Sequence, residues 1–133
     1  MEDVLELLRE HSESVPVPLE LPDEEQLVQI EEEILLPIPR DIRTFLLEAS
    51  DVIYGHLEPV TAADPYSHTY LPEVTANAWA NGVDRHLLPI CQVGHNYYCA
   101  EPDGEIVYWQ DGEITEETWP SISHWARDVW LES

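Results

Sequence analysis

LLPICQVGHNYYCAEPDGEIVYW, Leu87–Trp109, is the stretch on which the fold turns. Short runs rich in β-branched and aromatic residues alternate here with Gly, Asn and Asp, the residues of tight turns. Leu88 to Val93 reads as a strand, Tyr97 to Ala100 as a second, and Glu105 to Gln110 as a third. Asp103-Gly104 is a two-residue hairpin turn between the last two, and Asp111-Gly112 ends the third. Gly94-His95-Asn96 reads as a three-residue loop, Gly and Asn both tolerating positive φ. Centring that loop on His95 sets Val93 opposite Tyr97 and Cys91 opposite Cys99, both thiols on one sheet face.

Those two cysteines raise three alternatives. A zinc clasp needs about four ligands. Cys91, Cys99 and His95 supply three, and the fourth would come from His86, His56, His68 or His124. A cross-strand disulfide needs Cα atoms about 5.5 Å apart and an oxidising compartment. Buried free thiols behave as small hydrophobes, and this reading carries most weight because no C-x-x-C occurs. No metal and no cofactor are expected.

Outward from the hairpins the pattern is helical. Val4, Leu5, Leu7 and Leu8 make an apolar stripe in residues 2–13, followed by the extended linker SVPVPLELP. That helix either packs on the flank of the domain or docks on a partner. A second helix starts near Pro22 and brings Leu27, Ile30 and Ile34 to one face. A third runs from Pro39 or Arg40 with Ile42, Phe45, Leu46 and Ala49 inward. Residues 51–61 suit short edge strands at Ile53 and Leu57–Val60. LPEVTANAWANG is a helix with Pro72 in its first turn and Gly82 as its terminator, and Val74, Ala78 and Trp79 share one side. SISHWARDVWLES closes the chain as a helix capped by Ser121 or Ser123 and burying Ile122, Trp125, Ala126, Val129 and Trp130. The sum is α+β in a single domain: an antiparallel meander with helices on one face.

The chain carries 28 acidic residues against five arginines and no lysine, a formal charge of −23 over 133 residues. Nucleic-acid backbones and anionic lipid are repelled by such a surface. Two readings of it stand side by side: solubility alone, or attraction of a cationic protein partner whose approach it steers. Nothing at the acidic N-terminus resembles a secretory signal, and the longest apolar run is far short of a membrane span, so a cytoplasmic protein is expected. Phosphate-loop, G-x-S-x-G and H-E-x-x-H patterns are missing, and carboxylates are too abundant for any one pair to signal acid–base catalysis. No catalytic residue is therefore assigned. For a partner surface the sequence nominates Glu101, Asp103, Glu105, Asp111, Glu113, Glu116 and Glu117, a stretch without a basic residue. Tyr98 is its aromatic anchor, while Trp109 reads more readily as core.

One ordered set of motifs resembles a known family. Glu31 and then IPRDIRTFLLEAS, Ile38–Ser50, resemble the Leu-Pro-x-Asp-Tyr-x-x-Phe-Leu segment of the SUKH superfamily. Ile38, Pro39, Asp41, Ile42, Phe45 and Leu46 stand at its pattern positions. Leu87–Trp109 is similar to its strand run, and SISHWARDVW to its terminal helix with Trp125 and Trp130. Leu35 stands where the family usually has Gly, and Ser50-Asp51-Val52 where it often has Asn-Gly-Gly. The resemblance implies helices packed on a curved antiparallel sheet in residues 17–133, with residues 1–16 as a helix and linker ahead of it. It also implies a non-enzymatic binding module. The family includes fungal regulators of cell-wall glucan synthesis and bacterial immunity proteins that neutralise toxins, often nucleases. The expectation is thus an immunity protein for a basic toxin domain, with a regulatory scaffold as the alternative and a small metal-dependent enzyme third.

Overall fold

Asp23 decides where the second helix begins. In the computed structural model, which describes residues 2–133, its side chain accepts the Gln26 N–H at 2.8 Å, and the Gln26 side chain accepts the Asp23 N–H at 2.9 Å. This reciprocal cap starts α2 at Glu24 (Glu24–Ile34) rather than at Pro22. Leu27, Ile30 and Ile34 are the buried face of α2. Leu35 ends it in the left-handed conformation, φ 56°. Proline at the N-cap starts α3 (Arg40–Ala49), whose Ile42, Phe45, Leu46 and Ala49 are buried as their spacing predicts. The helix α1 (Glu2–His11) lies against α3 and contributes Val4 and Leu8 to the same core. Fully burying a side chain such as Leu8 contributes about 2 kcal/mol.

Residues 51–61 form no strand. Pro59 makes an isolated bridge to Cys91, and the Val60 N–H donates to the Ile90 carbonyl at 2.8 Å. Proline offers no N–H for a continuing ladder, so the contact stays local. Thr61 and Tyr70 then bridge in parallel and deliver the chain to α4 (Leu71–Ala80), with Pro72 in its first turn.

The second half is the expected antiparallel meander, in the order β1 (Leu88–Val93), β2 (Asn96–Ala100), β3 (Ile106–Gln110) and β4 (Glu113–Trp119). Three local expectations are corrected. The first hairpin closes on two residues, Gly94 and His95, so Val93 faces Asn96 and Cys91 faces Tyr98. A bulge at Ile90 then sets Pro89 opposite Cys99. The second turn spans Pro102-Asp103-Gly104: Glu101 donates to the Glu105 carbonyl, and Gly104, φ 95°, donates back to that of Glu101. Asp111-Gly112, both at positive φ, is a two-residue turn that leads into a fourth strand.

Strand alternation gives the sheet two unlike faces. Tyr97, Cys99, Val107 and Trp109 share the face that meets α4, where the Asn81 side chain reaches the Tyr97 hydroxyl at 3.2 Å. Tyr98 and Tyr108 point the other way. The chain closes with α5 (Ile122–Trp125), capped by Ser121 and continued by a π-helical turn over Ala126–Trp130. Its Trp125 ring lies 5.4 Å from Tyr98, and Trp130 packs on Phe45 of α3.

Candidate functional site

The sheet and its turns, residues 86–126, contain no Lys or Arg and carry the seven carboxylates nominated above. The fold divides them into three groups. Glu101, Asp103 and Glu105 sit at the turn between β2 and β3. Asp111 and Glu113 sit at the opposite end of the sheet, about 17 Å away for strands of five residues. Glu116 and Glu117 lie between them, in the bulge of β4 opposite Tyr108, where the Glu117 N–H leans on the Thr115 hydroxyl at 3.3 Å.

Their environments differ as well. Glu101 is half-buried and faces His86 at 3.3 Å. Asp103 uses one carboxylate oxygen to accept the Glu105 N–H at 3.0 Å. Glu105, Asp111, Glu113, Glu116 and Glu117 are exposed, and none is in an ion pair among the described residues.

Tyr98 is central to the sheet face on which α5 packs. Its ring stacks on Tyr108 with centroids 4.5 Å apart and meets Trp119 edge-on at 5.6 Å. All three are half-buried, a strip of aromatic surface between the sheet and solvent. Burial pushes the Tyr98 phenol up to about 12, and the neighbouring Tyr108 and Glu117 add to the shift. Glu113, opposite Gln110, is on the same side of the sheet as Tyr108. The aromatic centre with carboxylates beside it has the anatomy of a protein-recognition patch. Sequence reasoning missed Tyr108 and Trp119; strand alternation from Tyr98 was the signal for the first, whereas Trp119 belongs to a strand the sequence did not reveal. Trp109 is buried at 7 % exposure and serves the core.

The shared motif residues sit inside the fold. Both oxygens of Glu31 are engaged: one accepts the Ile38 N–H at 2.8 Å, and the other pairs with Arg43, which also reaches Glu24. Pro39 caps α3, Phe45 and Leu46 are in the core, and Trp125 and Trp130 are fully buried.

The cysteines do not form a clasp. Cys91 shares the face of Tyr98, its partner in the ladder, so Cys99 one residue on points to the opposite face. Both are free and buried, and burial pushes each thiol up to about 12, so both stay protonated at neutral pH. No group of three or more His, Cys, Asp or Glu is placed to hold a metal ion among the described residues.

A cavity of about 460 Å³ opens elsewhere, between Phe45, Val52 and Trp130 on one side and Glu58, Ser67 and His68 on the other. Its hydroxyls satisfy one another: Ser67 and Thr61 each lie 2.8 Å from Thr69 Oγ1. His68 pairs with Glu58, so the Ser67 hydroxyl and the imidazole are not coupled as nucleophile and base. No helix among the described residues is long and apolar enough to cross a membrane.

The model of a family described as SMI1-KNR4 cell-wall (SUKH_5) matches residues 1–131. Among solved structures, a protein from Pseudomonas syringae pv. tomato is similar at 62 % identity and a TM-score of 0.97, over 100 % of both chains. No curated protein matches the chain.

Proposed function

Because the chain belongs to the SMI1-KNR4 cell-wall family (SUKH_5), we propose that it is a non-enzymatic cytoplasmic immunity protein that binds a cationic, nuclease-like toxin domain and blocks it. One observation supports this reading above others. The sheet face on the side of Tyr98 combines the half-buried Tyr98–Tyr108–Trp119 strip with the exposed Glu113 and Glu117, Glu116 is exposed in the adjoining bulge, and no Lys or Arg interrupts residues 86–126. Such a surface imitates the phosphate chain that a basic cleft is built to hold, and it steers the encounter. The aromatic strip supplies apolar area that solubility alone does not call for.

A regulatory scaffold with no toxin partner is the second reading, favoured by the family's cell-wall description. Capture from the native host at low ionic strength, followed by mass spectrometry, separates the two. The immunity reading expects a basic protein encoded beside this gene. Recovery of only cell-wall assembly enzymes would sink it.

A further inference from the structure

Between α2 and α4 lies a cleft of about 480 Å³. Tyr70 and Trp79 give it aromatic walls, Glu33 of α2 and Glu73 of α4 stand at it, and Thr75 lines it. The aromatic residues are half-buried and the two carboxylates exposed; neither carboxylate is in an ion pair among the described residues. Thr75 is 0 % exposed, and its Oγ1 has no hydrogen-bond partner among the described residues. Buried hydroxyls are almost always satisfied, so this one leaves hydrogen-bonding capacity unspent in a residue that lines the cleft.

The chemistry of the lining selects a cation. No basic residue lines the cleft. Trp79 is fixed by its indole N–H, which donates to the Leu87 carbonyl at 3.2 Å. Its ring already attracts one cation, Arg85, whose guanidinium carbon lies 5.3 Å from the centroid and which is not among the lining residues. Two carboxylates on separate helices, with aromatic walls between them, suit a planar, many-donor guanidinium better than a compact ammonium. We infer that this cleft receives an arginine side chain of a partner protein. The inference rests on the reading of the partner as cationic and adds a second, specific contact on another face of the fold.

The test is titration of the full-length chain with N-acetyl-arginine N-methylamide, followed by NMR at the Trp79 indole and the Thr75 amide. The neutral isostere N-acetyl-citrulline N-methylamide serves as control. Saturable shifts are expected with the arginine probe, about tenfold weaker binding for the citrulline probe, and a similar loss in the double variant Glu33→Gln, Glu73→Gln. Both carboxylates are exposed, so unchanged melting of the variant is expected and separates lost recognition from lost fold. Equal response to both probes, undiminished binding by the double variant, or no saturable shift overturns the inference. Such a failure leaves the sheet-surface reading intact if substitutions at Glu113, Glu116 and Glu117 still slow capture of the partner. Partner capture indifferent to salt, with the cleft still answering the arginine probe, removes that reading instead.

Discussion

Glu31 of α2 holds Arg43 of α3 with one carboxylate oxygen while the other accepts the Ile38 N–H, so a single side chain fixes both the helix pair and the link between them. The side chains are only 23 % and 24 % exposed. Glu31→Ala is expected to destabilise the fold by about 1–3 kcal/mol, since it strands the Ile38 N–H and leaves Arg43 with Glu24 as its remaining carboxylate. Glu31→Gln keeps an acceptor for Ile38 and loses less. Urea unfolding midpoints check the order; equal losses would mean that charge pairing alone matters.

Leu35 is 87 % exposed and sits at φ 56°, a left-handed conformation that a side chain disfavours by about 1 kcal/mol. Leu35→Gly removes that strain at the end of α2 and is expected to raise stability by up to that amount. Thermal melting of the variant checks it; a fall in Tm would show that the Leu35 side chain has a packing role the fold does not reveal.

The two thiols predict a loss of stability in alkali. The unfolded chain releases thiol protons near pH 9, whereas Cys91 and Cys99 hold theirs to about 12 in the fold. Stability contributed by the neutral buried thiols is therefore present below pH 9 and lost progressively as pH rises from 9 towards 12, on the order of 1 kcal/mol per thiol for each pH unit crossed. The double variant Cys91→Ala, Cys99→Ala is expected to be less stable at pH 7, and its stability should fall less steeply above pH 9. Parallel stability–pH curves for the two proteins would refute the assignment.

Replacing Glu113, Glu116 and Glu117 together by Gln is expected to slow partner association about tenfold at low salt and to flatten its salt dependence, with little change in dissociation. Stopped-flow association over a salt series measures it. An unchanged slope would place the steering charge elsewhere. Tyr98→Ala is expected to act instead on dissociation, through the aromatic strip.

Much of the fold was legible because its helices write their buried faces at regular spacing. Leu27, Ile30 and Ile34, then Ile42, Phe45, Leu46 and Ala49, emerge from periodicity alone and are buried. β4 was not legible: Glu113–Trp119 has exposed or half-buried positions throughout, and its bulge breaks the two-residue period. The register at Cys91 failed for another reason. Gly94 at φ 63° serves a two-residue loop as readily as a three-residue one, and one residue of slip moves a thiol to the other face. The carboxylates were visible individually, but only the topology reveals that they divide among two ends and one edge.

The widened last turn has a consequence for how this chain tolerates change. In an α-helix, residues five apart diverge by about 140° around the axis, which would separate Trp125 from Trp130. Passing through Ala126–Trp130 as a π-helix, the chain brings the two indoles into a stack 6.3 Å apart, both fully buried. Deleting one residue between them would restore α-helical winding and bring the same two rings to a four-residue spacing on a common side. A single-residue deletion between Trp125 and Trp130 is thus expected to change the helical pitch while leaving the tryptophan wedge in place.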